Sequence, residues 1–139
     1  MKVLLADDSH FILDWLQDML CGYENVEVVG AFKNGTDALD GLRMLKPDLA
    51  IIDIKMPNLS GLEVLKEIRK ENETVKIIIL TFFAMDRYRD QAVVAGADYF
   101  FSKVDDFEKV TVVISEMLAK ESNDNSYKTT SSPIAPLRC

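Results

Sequence analysis

The stretch Leu49-Ala-Ile-Ile-Asp53-Ile-Lys-Met-Pro57 sets the tightest limit on how this chain can fold. A sheet with one wet face alternates apolar and polar residues. Four unbroken apolar residues, two of them β-branched, mark instead a strand covered on both faces, the habit of parallel sheets. Asp53 breaks the run, and Pro57 cannot continue a central strand. Asn58-Leu-Ser60-Gly61 then supplies turn and helix-capping residues, so Asp53 sits where a strand stops and a loop begins. The next helix starts around Gly61, too far downstream for Asp53 to be its cap. Carboxyl ends of parallel strands are where open α/β sheets bind ligands.

The same grammar repeats along the chain. Lys2 to Ala6 is an apolar strand ending in Asp7-Asp8, after which Ser9 caps a helix carrying Phe11, Ile12, Trp15, Leu16, Met19 and Leu20 at helical spacing. Val26 to Phe32 is a second strand, and Asn34-Gly35-Thr36 opens a helix with Ala38, Leu39, Leu42 and Leu45 on one face before Pro47 stops it. Strand three ends at Asp53; Leu62, Val64, Leu65 and Ile68 mark the third helix. Val75 to Leu80 is strand four, closed by Thr81. Asp86 to Ala95 is a short, weakly anchored helix ending at Gly96, with Ala92, Val93 and Ala95 as its apolar content. Tyr99-Phe100-Phe101 is strand five, leading to Ser102-Lys103. Val110-Thr-Val-Val-Ile114 reads as a strand by propensity, but the spacing of Phe107, Val110, Val113, Ile114, Met117 and Leu118 and the Glu116 to Lys120 pair favour an amphipathic helix.

Five strand-helix alternations with all-apolar strands predict a parallel sheet covered by helices on both faces, and right-handed crossovers make it doubly wound. At 139 residues it is one domain, large enough to bury about two thirds of its unfolded surface without a metal or disulfide staple. Cys21 and Cys139 form no metal-ligand spacing and read as a buried thiol and a tail thiol. A net charge of −7 disfavours a phosphate-binding surface for DNA or RNA, and no basic run or finger motif offsets it, so no nucleic-acid binding is expected. No apolar run is long enough for a signal peptide or membrane span, so a cytoplasmic protein is expected. Residues 1–121 carry the domain; the polar, proline-containing residues 122–139 are expected to be a disordered tail too short for an output domain.

Four strands thus end in reactive side chains: Asp7 and Asp8, Asp53, Thr81, and Lys103 just past the fifth. Three carboxylates at one sheet edge repel and call for a cation or shifted pKa values. An all-oxygen site with room for water suits Mg²⁺. A lysine and a threonine hydroxyl facing the same point suit an anion, most simply a phosphoryl group, which leaves Asp53 as ligand or as nucleophile.

In combination, Asp7-Asp8 after strand one, Asp53 followed by Met56-Pro57 and Gly61, Thr81 after strand four, and Gly96-Ala97-Asp98 leading to Lys103 resemble the receiver domain of two-component response regulators. The resemblance covers nearly all of residues 1–121. It implies a flavodoxin-like (βα)5 fold with strand order 2-1-3-4-5. It also implies that Asp53 accepts phosphate from a sensor histidine kinase or phosphotransfer protein. Asp8 and Asp53 would hold Mg²⁺ directly, Asp7 mostly through water, and the backbone carbonyl of Lys55 would complete the set, leaving the Lys55 side chain free to vary. Lys103 would pair with Asp53 or its phosphate, Thr81 would move to the new phosphoryl oxygen, and Phe100 would turn inward as the switch aromatic. The face of helix four, strand five and helix five would then change for an unknown downstream protein or a phosphorylation-dependent homodimer. The domain would catalyse only its own phosphorylation and dephosphorylation.

Two positions depart from the family pattern. Phe82 is bulky where a small residue is usual and would narrow access to Asp53, and Phe100 lacks the hydroxyl a tyrosine would offer a partner. Taken singly, Thr81 is a strand-end β-former and Lys103 a loop charge. His10 has no second histidine beside it and is assigned no chemistry; Trp15 and Met56 read as packing residues. Competing functions are a phosphatase or phosphotransferase, opposed by Lys55 where such enzymes place a second aspartate, a phosphate-independent adaptor, and a flavin binder, opposed by two carboxylates in the loop after strand one.

Overall fold

The computed structural model describes residues 1–124. Five strands, β1 (Lys2–Ala6), β2 (Glu27–Phe32), β3 (Leu49–Ile52), β4 (Lys76–Thr81) and β5 (Tyr99–Ser102), alternate with five helices, α1 (His10–Cys21), α2 (Gly35–Leu45), α3 (Gly61–Arg69), α4 (Asp86–Ala95) and α5 (Phe107–Asp124). The strands form one parallel sheet in the order β2-β1-β3-β4-β5. The doubly wound, flavodoxin-like arrangement is therefore present. The three inner strands are buried almost end to end, whereas β2, at an edge, is only half-buried.

Alternation along the inner strands divides the core into two layers. Leu4, Ala6, Ala50, Ile52, Ile77 and Ile79 meet α2, α3 and Ala92 of α4 on one face. Val3, Leu5, Leu49, Ile51, Ile78 and Leu80 meet α1 and α5 on the other. Val110 to Ile114 lies inside α5, with Val110, Val113 and Ile114 buried, so packing overrides the strand propensity of that run. Ser9 caps α1, and Ser60 with Glu63 forms a reciprocal capping box on α3. Gly96 ends α4 at φ 105°, a left-handed conformation that suits glycine.

Several expectations are corrected. The buried stripe of α1 is Ile12, Leu13, Leu16 and Leu20; Phe11 is 78% exposed, and Trp15 lies on the surface against Phe107, with ring centroids 3.6 Å apart. The inward face is rotated by one residue, because Leu13 meets the sheet. Val93 of α4 faces solvent, leaving Ala92 as the buried residue of that helix. Helix α5 ends at Asp124, and residues 125–139 of the expected tail lie outside the described residues. Cys21, read as a buried thiol, is half-buried at the end of α1. Cys139 lies outside the described residues.

Candidate functional site at the carboxyl edge of the sheet

Parallel pairing brings the carboxyl ends of β1, β3, β4 and β5 to one edge, and with them the residues singled out in the sequence. Asp53 follows β3 with its N–H donating to the Ala6 carbonyl at 2.9 Å, which fixes it beside the Asp7-Asp8 turn. Its Oδ1 accepts from the Ile54 N–H at 2.7 Å and its Oδ2 from Lys103 Nζ at 3.0 Å. Lys103 also reaches Asp7 Oδ2 at 2.5 Å. This three-membered ion cluster is almost fully enclosed: the side chains of Lys103, Asp7 and Asp53 are 2%, 3% and 7% exposed. Asp7 Oδ1 is held by the Ser9 N–H at 2.9 Å. Burial raises the Asp7 pKa above its ordinary value, against the opposing pull of Lys103 and the Ser9 N–H.

Asp8 stands in solvent at the rim, yet a carboxylate oxygen from each of Asp7, Asp8 and Asp53 lies within 4.8 Å of the others. One lysine against three carboxylates leaves a negative excess, and an oxygen-only set open to water on the Asp8 side fits Mg²⁺. Asp7, Asp8, Asp53 and the backbone carbonyl of Lys55 are the groups that would hold it.

Thr81 is fully buried at the end of β4, and its Oγ1 accepts from the Phe83 N–H at 3.0 Å. Phe82 is 59% exposed, and its ring centroid lies 4.9 Å from Lys103 Nζ. Phe100 is 7% exposed and already turned inward, with the Arg89 guanidinium 4.8 Å from its ring centroid. His10 is exposed and pairs with Asp14, and Met56 is half-buried against the core.

Sequence reasoning missed three features. Asp7 shares Lys103 with Asp53. Arg89 covers Phe100. The Lys55 side chain, read as unconstrained, lies 5.2 Å from the ring centroid of Phe83 and 5.5 Å from that of Tyr88. The last two depend on how the β4–α4 loop returns over the sheet edge, which spacing in the sequence does not encode.

The response regulator receiver domain family matches residues 3–125. The chain is 34% identical over 124 residues to a protein-glutamate methylesterase/protein-glutamine glutaminase of Methanospirillum hungatei, covering 88% of this chain and 36% of that protein. It is 39% identical over 102 residues to an uncharacterized transcriptional regulatory protein, YvfU, of Bacillus subtilis, covering 73% of this chain and 51% of that one. It thus spans about a third of the first of these curated relatives and about half of the second. Among solved structures, the response regulator domain of Thermotoga maritima CheB superposes with a TM-score of 0.75 at 31% identity, over 88% of this chain and 96% of that one. The chain belongs to the response regulator receiver domain family of two-component systems. Such domains bind Mg²⁺ at an acidic pocket and interact with histidine kinases and downstream effectors. Among the described residues no helix is long and apolar enough to cross a membrane.

Proposed function

We propose that this chain is a phosphorylation-controlled signalling domain in which Asp53 takes a phosphoryl group from a phosphohistidine of a sensor kinase or phosphotransfer protein. The observation that carries the reading is the buried Lys103 ammonium bridging Asp53 and Asp7 beside Asp8 at the carboxyl edge of the sheet. In the transfer an Asp53 carboxylate oxygen forms a bond to phosphorus, the phosphorus–nitrogen bond to imidazole breaks, and the imidazole leaves with the bonding pair. Bound Mg²⁺ supplies charge neutralisation for the phosphoryl oxygens. Lys103 neutralises the same charge from within the protein, and its enclosure strengthens that contribution. Thr81 gives up the Phe83 N–H to donate its hydroxyl to the phosphoryl oxygen. Phe82, set against Lys103 at the mouth, narrows access to Asp53.

Residues 1–121 carry this activity as a cytoplasmic domain with residues 122–139 as a tail. It binds no nucleic acid or membrane and turns over no external substrate. Its output is a protein contact on the α4–β5–α5 face, either with a downstream target or with a second copy. The test is incubation with a small phosphodonor, with Mg²⁺ added or withheld, followed by intact mass of wild type and Asp53→Ala. A phosphate-sized gain that needs Mg²⁺ and is lost in the variant is the expected result. No gain from either a small donor or a phosphohistidine protein would overturn the reading.

One observation favours a second reading, a phosphate-independent adaptor: Phe100 is buried under Arg89 in the unphosphorylated chain. In that case a partner captured by wild type would bind Asp53→Ala equally well.

A further inference from the structure

Helix α4 is held in place by little apolar burial. Its N-cap position, Met85, makes no side-chain cap, Ala92 is its one buried residue, and Val93 and Val94 are 63% and 87% exposed. At its start Ala84 and Tyr88 are half-buried against the core, and cations on aromatic rings add to that packing. Lys55 faces Phe83 and Tyr88, and Arg87 lies 4.9 Å from the Tyr88 centroid. Of these cations only Lys55 comes from another loop, and it follows Asp53 by two residues. Phe83 is engaged from the other side as well, since its N–H donates to Thr81 Oγ1.

We propose that the Lys55 side chain is a positioning residue that ties the loop carrying Asp53 to the first turn of α4. Occupancy of Asp53 then reaches α4 through the Phe83 and Tyr88 rings, in addition to any movement of Thr81 and Phe100. The inference rests on the reading of Asp53 as phosphoacceptor. Two distances carry it. A cation some 5 to 6 Å from a ring centroid is within the range where the ring's electrostatic attraction acts. One ammonium shared by two rings on opposite sides of the loop-to-helix junction cannot shift without changing both contacts. Nothing else in the loop is suited to this: Asn58 and Ser60 are short, and Met56 packs into the core.

The test is hydrogen exchange over residues 83–90 of the full chain, alone and with Mg²⁺ plus beryllium fluoride as phosphoryl mimic, in wild type, Lys55→Met, Lys55→Arg and Asp53→Ala. Lys55 is exposed, so its variants fold, and far-UV circular dichroism checks this. Without additions, Lys55→Met should speed exchange of the α4 first turn roughly 2- to 5-fold while Lys55→Arg leaves it near wild type. With the mimic, fluorine NMR should show it bound to wild type and Lys55→Met alike, but the change in α4 exchange seen in wild type should be largely lost in Lys55→Met. Equal exchange responses in those two chains, with the mimic bound to both, would overturn the coupling alone. No bound fluoride in wild type, or binding undiminished in Asp53→Ala, would defeat the phosphoacceptor reading and the coupling with it.

Discussion

Gly61→Ala isolates how the fold holds Asp53. Gly61 opens α3, and its N–H donates to the Ile54 carbonyl at 2.8 Å. A Cβ there would lie 2.0 Å from the carbonyl oxygen of Asp53, 2.8 Å from its carbonyl carbon and 3.1 Å from Ile52 Cγ2. Real contacts of that kind stop near 3.0 Å, so 3.0 − 2.0 = 1.0 Å must be found by moving backbone. Two effects compete. Alanine is the better helix former by up to about 1 kcal/mol. Overpacking a closed site costs about 1–3 kcal/mol, occasionally more. Here the two nearest atoms are main chain of the buried Asp53, just past β3, which cannot rotate aside as a side chain would, so the clash wins. Urea unfolding should show a net loss of about 1–2 kcal/mol or more. Because the displaced atoms belong to Asp53 itself, phosphorylation by a small donor should slow by up to about 10²-fold. Gly22→Ala is the control. Its Cβ would find only the Met19 carbonyl oxygen at 3.6 Å, at φ −72°, so the same chemical change should be neutral or stabilise by about 0.4–1 kcal/mol. A Gly61→Ala chain that unfolds at the wild-type urea concentration, or loses no more than Gly22→Ala, refutes the steric argument.

Three further outcomes follow from the ion cluster. Lys103→Met leaves Asp7 and Asp53 buried without their cation and should cost about 3–5 kcal/mol near neutral pH, a deficit that shrinks in acid; a pH-independent deficit in urea titrations would show that lost packing, not charge, is responsible. The raised pKa of Asp7 means that the folded chain holds this proton more tightly than the unfolded one. The stability it contributes is full below the ordinary value of 3.8 and is lost as pH rises through the folded pKa, so metal-free Asp7→Asn should gain on wild type as pH climbs from 3.8; a difference that stays flat with pH contradicts the assignment. Phe82→Ala should shorten the lifetime of phosphorylated Asp53, and Phe82→Leu, which keeps bulk but not the ring face toward Lys103, separates steric cover from the cation contact; equal lifetimes in all three chains would leave Phe82 without a role at the site.

The fold was legible because this architecture writes itself in unbroken apolar runs. Leu49–Ile52 and the strand from Lys76 need cover on both faces, and that requirement selects a parallel sheet with helices on each side. The site was legible for the same reason: parallel strands share a carboxyl edge, so polar residues ending separate runs must meet. Orientation around a helix was less readable. In α1 the apolar residues span more of the circumference than the sheet covers, and only packing decides that Leu13 goes in while Phe11 stays out. Side chains that act across loops, Lys55 on Tyr88 and Arg89 on Phe100, leave no periodic trace at all.

The cluster also explains how a site this enclosed can be ready for a reaction that adds charge to it. Without a metal, Lys103 divides itself between Asp7 and Asp53, and that sharing allows two carboxylates to sit side by side out of water. The arrangement is stable but not neutral, because Asp8 adds a third negative charge at the rim with no lysine assigned to it. Asp7, Asp8 and Asp53 are the side chains that would hold a divalent cation, whose charge would lessen the dependence of Asp7 on Lys103. The ammonium, already in contact with Asp53 Oδ2, would then be free to pair with the acyl phosphate formed there. Lys103 thus stabilises the resting carboxylates and, on the proposed reading, would stabilise a phosphorylated Asp53 in turn, which an enclosed lysine does better than an exposed one.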